Sequence, residues 1–204
     1  ILDGLAGDLT DKQKDLLTKS SNRIKSVTAL SKELLDLSKI ESGLINQERC
    51  ELDLADLARE QADAYQETAA GSNIRLTLEP YEGALKIMGN RINIEEVISN
   101  LISNAIRYSP DGGDIMIRLA EDGDSAVISV ADTGLGIPAD EQEHIFERFF
   151  RVKNENTRHI NGTGLGLAIV KSIIDAHYGS IEVKSEEGKG TEFSVFLPKF
   201  AVAF

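Results

Sequence analysis

The run "GTGLGLAIVKSIIDA", residues 162–176, constrains this chain most: three glycines in five positions, then an apolar helical segment. Glycine loses more backbone freedom on folding than any other residue, so Gly162, Gly164 and Gly166 call for a use. A helix that starts out of such a run presents N–H groups without intrahelical partners. Its dipole adds to their attraction for anions. A phosphate site and a tight loop that merely closes the fold are both compatible with the run alone.

Two other glycine clusters narrow the choice. "GKGT" at 188–191 approaches a phosphate-binding P-loop, but Gly190 stands where Ser or Thr is required and strand-like segments flank it. It reads as a hairpin. Gly134, Gly136 and Ala139 satisfy the dinucleotide fingerprint, yet a polar loop follows instead of a second strand. The 162–166 run itself fails that fingerprint, with Leu167 and Ile169 in its last position.

Hydrophobic periodicity sets out the rest. Residues 10–42 form one long helix, opened by the capping box of Thr10 and Gln13 and closed at Gly43. Leu17, Ile24, Val27, Leu30, Leu34 and Leu37 give it a stripe that nothing nearby covers. Such a helix packs on a later domain or joins a bundle from two chains. "ILDGLAGDL" before it reads as the end of a preceding helix and a turn. "ERCELDL", "NIRLTLE" and "ALKIM" read as strands, and residues 54–70 and 91–107 as helices. "DIMIRLAED" and "SAVISVAD" form a hairpin through Asp122-Gly123. Residues 139–150 read as helix, "RVKNENTRHING" as a featureless mobile loop, and a further helix runs from Gly164. "SIEVKSE" and "TEFSVFLP" pair through Gly188-Lys189-Gly190. Strands outnumber those of a βαβ array, so the fold class is α+β: a two-layer α/β sandwich, with helices on one face of a mixed sheet. The expected division is 1–45, helical, and 46–199, the sandwich.

Net charge is −12, which argues against a non-specific nucleic-acid binder. No apolar run approaches the 18 or so residues of a membrane span, and no signal-peptide pattern opens the chain. It starts without Met and reads as a fragment of something longer, so membrane attachment is expected only through segments outside it. The single cysteine, Cys50, reads as a small core or edge residue in a cytoplasmic setting.

On the 91–107 helix, Ile94, Val97, Ile98, Leu101, Ile102, Ala105 and Ile106 cover one face. Asn100, Asn104 and Arg107 form a narrow polar stripe beside it. An amide oxygen can ligate Mg²⁺ and a guanidinium can meet a phosphate. A plain solvated face is the competing reading.

"NLISNAIRYSP", "DTGLGIP", "IFERFFR", "GTGLGLAI" and "GKGTEF" occur in this order. They resemble the N box, first glycine box, phenylalanine box, second glycine box and third glycine motif of sensor histidine kinases. These belong to a superfamily with DNA gyrase, heat-shock chaperone and mismatch-repair ATPases. The long N-terminal helix resembles the second helix of the family's dimerisation and phosphotransfer domain. The resemblance implies a Bergerat-type ATP-binding fold preceded by one helix of an antiparallel dimeric bundle. It implies ATP and Mg²⁺ as cofactors, with a response-regulator receiver domain and a second copy of the chain as partners. Asp132 would accept from the adenine amino group. Gly134 and Gly136 would bring the backbone close to the base, and Tyr108 would stack on it. Asn104 would ligate Mg²⁺, Asn100 would support the same cluster, and Arg107, where lysine is usual, would contact phosphate. Gly162, Gly164 and Gly166 would cradle the phosphates and hinge a lid at 139–161. From that lid Arg151 would reach the γ-phosphate, and Phe149 and Phe150 would anchor it. Ile137, Thr163, Leu165, Leu167 and Thr191 complete the implied nucleotide-binding set.

The departures are specific. Asn90 stands where the family usually has aspartate. Tyr178 replaces a common glycine after His177, with no functional cost expected. No phospho-accepting histidine box is present. His144 and His159 read as solvated, and His177 as a helix C-terminal residue complementing the dipole. The acceptor is therefore expected on a first dimerisation helix, about a dozen residues before Ile1, one or more helical turns away. The expected activity is transfer of the ATP γ-phosphate to that histidine, for relay to a response-regulator aspartate. ATP-hydrolysing relatives place a glutamate base at the Asn100 position, and an amide cannot take a proton from water. A degenerate binding module and a serine kinase controlling a sigma factor are the other readings. The latter has no need of the long helix.

Overall fold

A computed structural model describes residues 9–41, 49–160 and 162–200. Gly43, the segment before Leu9, Asn161 and the side chain of Leu37 lie outside the described residues. The elements are α1 (Asp11–Glu41), β1 (Cys50–Asp53), α2 (Leu54–Gly71), β2 (Ile74–Leu78), β3 (Lys86–Gly89), α3 (Arg91–Arg107), β4 (Gly113–Asp122), β5 (Ser125–Asp132), α4 (Gly166–Ala176), β6 (Ser180–Glu186) and β7 (Gly190–Pro198).

The capping box before α1 forms: Thr10 N–H donates to Gln13 Oε1 at 2.9 Å, and Gln13 N–H to Thr10 Oγ1 at 3.4 Å. α1 lies against α4, with Leu30 half-buried on the core, while Ile24, Val27 and Leu34 remain exposed. Asp53 Oδ1 caps α2 by accepting from Ala55 N–H at 2.9 Å, and it also accepts from Leu85 N–H.

The main sheet has five strands in the order β2-β4-β5-β7-β6. β2 runs parallel to β4 and the other pairs are antiparallel. β1 and β3 form a separate two-stranded sheet instead of extending the main one. Cys50 lies exposed on β1, which pairs only with β3. In β4, Ile115 and Ile117 face the helices and are fully buried, while Arg118 faces outward to Glu79 and Glu192. The matching face of α3 buries Ile94, Val97, Ile98, Leu101 and Ile102. Each such side chain contributes about 1.5–3 kcal/mol of transfer free energy, and together they fix how α3 lies on the sheet.

Residues 139–150 depart from the expected helix. They run as successive turns: Glu141, His144, Glu147 and Phe150 each donate to the carbonyl three residues back. Phe149 then adopts φ +64 and donates its N–H to Gly164 O, a tertiary contact that a continuing helix would forbid. The next segment is not featureless. Thr157 is buried, accepts from Asn154 N–H and donates to Val152 O at 2.7 Å. α4 starts at Gly166, because φ +75 at Gly164 is not helical. Tyr178 occupies the left-handed region, φ +59, which explains the preference for glycine there. Its exposed ring lies under the Arg49 guanidinium, 5.1 Å from its centroid.

Candidate functional site

Two adjoining hollows share Asn104, Tyr108, Ile145, Phe150, Arg151 and Leu167, and so form one cleft. The first, about 610 Å³ out to its open mouth, adds Asp132, Gly136, Ile137, Thr191 and Phe193. The second, about 550 Å³ on the same measure, adds Asn100, Arg107, Gly162, Thr163, Gly164 and Gly166. The polar stripe of α3 therefore lines one end, and one carboxylate, Asp132, beside Thr191, Ile137 and Phe193 marks the other.

Asp132 ends β5. Its Oδ1 accepts from Gly134 N–H at 2.9 Å, and Thr191 N–H also bonds the carboxylate. Burial nevertheless dominates and pushes its pKa up to about 6. The 134–137 loop is pinned to β6, with Ile137 N–H donating to Ser185 Oγ at 2.8 Å. Gln142 Nε2 donates to the carbonyls of Ile137 and Ser185 at 2.9 and 3.0 Å. Sequence reading missed Ser185 and Gln142. Ser185 looks like any residue of an alternating strand, and its partner is 48 positions away.

At the other end, Arg107 Nη1 donates to Asn104 Oδ1 at 3.4 Å, and Asn100 Nδ2 donates to Glu96 O at 3.0 Å. A Cβ on Gly166 would sit 2.8 Å from Asn100 Oδ1, so this glycine lets α4 close on α3. Arg151 donates to the carbonyls of Ile160 and Gly162, while its Nε is buried without a partner. No side chain caps the start of α4, although Thr163 Oγ1 accepts from Leu165 N–H at 3.3 Å.

Several expected roles change. Gly134 does not line the cleft; its close approach is to Tyr108 O. Gly136, at φ +66, makes room for Glu186 O. Backbone packing requires both glycines whether or not a base is near. Leu165 is fully buried in the core and offers the cleft no side chain. Phe150 is half-buried on the core, but the Phe149 side chain is 57% exposed, and Phe149 holds the segment through its backbone N–H to Gly164 O instead of through its ring. Gly190, absent from the expected set, has φ +111, and a Cβ there would overlap Asp132 O.

His144 Nδ1 lies 2.7 Å from Glu147 Oε1 on the surface, and His159 accepts from Arg158 Nε at 2.9 Å. His177 is buried, with both ring nitrogens engaged, and burial lowers its pKa. It is thus a neutral imidazole and does not complement the α4 dipole with charge. Among the described residues no cluster of three His, Cys, Asp or Glu could hold a metal, and no helix is long and apolar enough to cross a membrane.

Residues 89–201 match the family described as histidine kinase-, DNA gyrase B-, and HSP90-like ATPase. The chain is 40% identical over 176 residues to the sensor histidine kinase RppB of Synechocystis sp., covering 86% of this chain and 39% of that protein. It is 37% identical over 168 residues to the sensor-like histidine kinase SenX3 of Mycolicibacterium smegmatis, covering 82% and 44%. It thus spans less than half the length of these curated relatives. Full-length ShkA in complex with AMPPNP is similar in structure, with TM-score 0.77 and 27% identity over 96% of this chain and 41% of that one. The catalytic domain of histidine kinase ThkA gives TM-score 0.66 at 33% identity, over 75% and 99%.

Proposed function

The chain belongs to the histidine kinase-, DNA gyrase B-, and HSP90-like ATPase family, and on that premise we propose that it is the ATP-binding catalytic part of a sensor histidine kinase. It passes the γ-phosphate of ATP to a histidine outside this chain, for relay to a response-regulator aspartate. One observation carries the reading. A continuous cleft joins a half-buried acceptor, Asp132, to a cluster of two amides and two arginines. The dimensions and polarity of its two ends suit an adenine base and a chain of phosphates.

In this reading the Asp132 carboxylate accepts from the adenine amino group, and Tyr108 and Ile137 face the base. Asn104 Oδ1 is the hard oxygen donor at the phosphate end. It suits Mg²⁺, which is usually held by few protein oxygens with water and phosphate oxygens. When bound, that ion neutralises charge on the phosphates. Arg107 and the orphan Nε of Arg151 supply further positive charge, and the start of α4 offers backbone N–H groups. Catalysis then rests on positioning and charge neutralisation. Asn100 disfavours hydrolysis: its amide is tied to Glu96 O and cannot serve as a base.

We place residues 1–45 in a dimerising helical region and 46–199 in the catalytic domain. The exposed side chains of Ile24, Val27 and Leu34 on α1 are consistent with a homodimer through that helix. Sedimentation of a longer chain that includes the preceding helix should give a dimer. A strict monomer there would mean that α1 is covered by its own ATP-binding domain.

For phosphotransfer, the chain is incubated with γ-labelled ATP, alone and with a separate helix pair carrying a histidine followed by a carboxylate. The chain alone should bind nucleotide and stay unlabelled, while the helix pair acquires acid-labile, base-stable label. Label on His144, His159 or His177 would overturn the assignment of the acceptor to another segment.

A further inference from the structure

Ser185, Thr191 and Asp132 form one row across three neighbouring strands: Ser185 pairs with Thr191 between β6 and β7, and Thr191 with Asp132 between β7 and β5. Three hydrogen-bond partners surround Ser185 Oγ. Ile137 N–H lies at 2.8 Å, Gly190 O at 2.9 Å and Thr191 Oγ1 at 2.9 Å. A hydroxyl has one hydrogen and two lone pairs. Ile137 N–H can only donate, so it takes one lone pair. Gly190 O can only accept, so it takes the Ser185 hydrogen. One lone pair remains for Thr191, which must therefore donate its own hydroxyl hydrogen to Ser185. The opposite assignment would leave Ser185 Oγ and Gly190 O as two acceptors in contact.

The consequence falls on the cleft. Thr191 is 7% exposed and lines its base end beside Asp132. With its hydrogen committed to Ser185, the Thr191 hydroxyl has only lone pairs left to offer, and the Asp132 carboxylate likewise only accepts. We infer that Ser185 is a specificity-determining residue: by accepting the Thr191 hydrogen it leaves the neighbouring Thr191 hydroxyl and Asp132 carboxylate with lone pairs alone, which selects a base bearing an exocyclic amino group over one bearing a carbonyl beside them. The inference rests on the nucleotide reading of the cleft given above. Ser185 need not touch the base. It acts by fixing which way the Thr191 hydroxyl points and by holding the 134–137 loop.

ADP and IDP provide the test: ADP bears an amino group where IDP bears a carbonyl, and IDP also carries a hydrogen on the adjacent ring nitrogen, where ADP has a lone pair. Their affinities for the full chain are measured by calorimetry above the Asp132 pKa. The wild-type protein should prefer ADP. In Ser185→Ala the Thr191 hydroxyl is free to rotate and donate to a carbonyl, so the preference should fall by about tenfold, the effect of one hydrogen bond. Ser185→Thr keeps a hydroxyl and should keep the preference. Thr191→Val should lower the preference by a similar factor, and adding Ser185→Ala to it should change the ratio no further. A uniform loss of both affinities would mark a purely structural role for Ser185 and overturn the inference, as would an unchanged ratio in Thr191→Val. A wild-type protein that binds both nucleotides equally overturns it too. A wild-type protein that binds neither overturns the nucleotide reading itself.

Discussion

The backbone N–H of Asn90 donates to Nε2 of His177 at 3.1 Å, while Nδ1 of the same ring lies 2.7 Å from Ile173 O. A carbonyl can only accept, so Nδ1 carries the hydrogen and Nε2 is a lone pair. The ring joins the N-cap of α3 to the last turn of α4. Asn90 also caps α3, its Oδ1 accepting from Asn93 N–H at 3.2 Å. Asn and Asp cap helices about equally well, so Asn90 fills this position without loss of the cap.

Protonation of His177 would put a hydrogen on Nε2 against the Asn90 N–H. Its folded pKa lies below the ordinary 6.5, so its contribution to stability is complete above 6.5 and is lost as pH falls below that value. Denaturant unfolding should show this loss in the wild type. His177→Gln, which can accept and donate without titrating in this range, should lack that part of it. His177→Phe should lose about 1–3 kcal/mol at neutral pH, because Asn90 N–H is left buried and unpaired. Nitrogen-15 spectra of the imidazole should report the Nδ1–H tautomer.

Asp132 works in the opposite sense. Its pKa is raised from 3.8 to about 6, so ionisation costs stability that is progressively lost as pH rises from about 4 to 6. Asp132→Asn should therefore stabilise the nucleotide-free protein by about 1–3 kcal/mol at neutral pH, and by little below pH 4. The same variant should bind ADP about 10- to 100-fold more weakly, because an amide N–H₂ would face the base amino group. Thermal melts and calorimetry on one preparation give both readings. Equal or tighter binding would remove Asp132 from the base site.

Gly188 in the β6–β7 turn and Gly190 at the start of β7 should respond differently to alanine. Gly188 has φ +77 and nothing within 4 Å of a built Cβ, so Gly188→Ala should cost only about 1–2 kcal/mol of backbone strain. Gly190→Ala adds a collision with Asp132 O and should cost about 3 kcal/mol or more. It should also weaken ADP binding, whereas Gly188→Ala should not. Similar binding losses in both variants would contradict this packing.

Thr157→Val keeps the shape of a buried side chain but strands Val152 O and Asn154 N–H. Hydrogen exchange should quicken across residues 152–158 and not in β5 or β7. ADP affinity should fall a few-fold, because Val152 and Thr157 both line the cleft. Unchanged exchange would mean that the hydroxyl does not organise this segment.

What the sequence determined by itself was local. The 3.6-residue period of α3, the hairpin between β4 and β5, whose turn falls on Gly123-Asp124, one residue past the expected Asp122-Gly123, and the capping box at Thr10 are written within a few neighbouring positions, and all three form. The polar stripe of Asn100, Asn104 and Arg107 follows from the same periodicity, because side chains a turn apart share a face. Tertiary structure decided whatever depends on residues far apart. Residues 139–150 carry a helical pattern, yet the bond from Phe149 to Gly164 and the hold of Gln142 on β6 override it. His177 reads as an ordinary helix terminus until Asn90, 87 positions away, supplies its hydrogen. Gly134, Gly136 and Gly190 announce themselves as glycines, but only the folded backbone reveals that Tyr108, Glu186 and Asp132 press against them. Ser185 gives no local sign at all, because the direction of its one hydrogen is set by three partners that chain folding alone brings together.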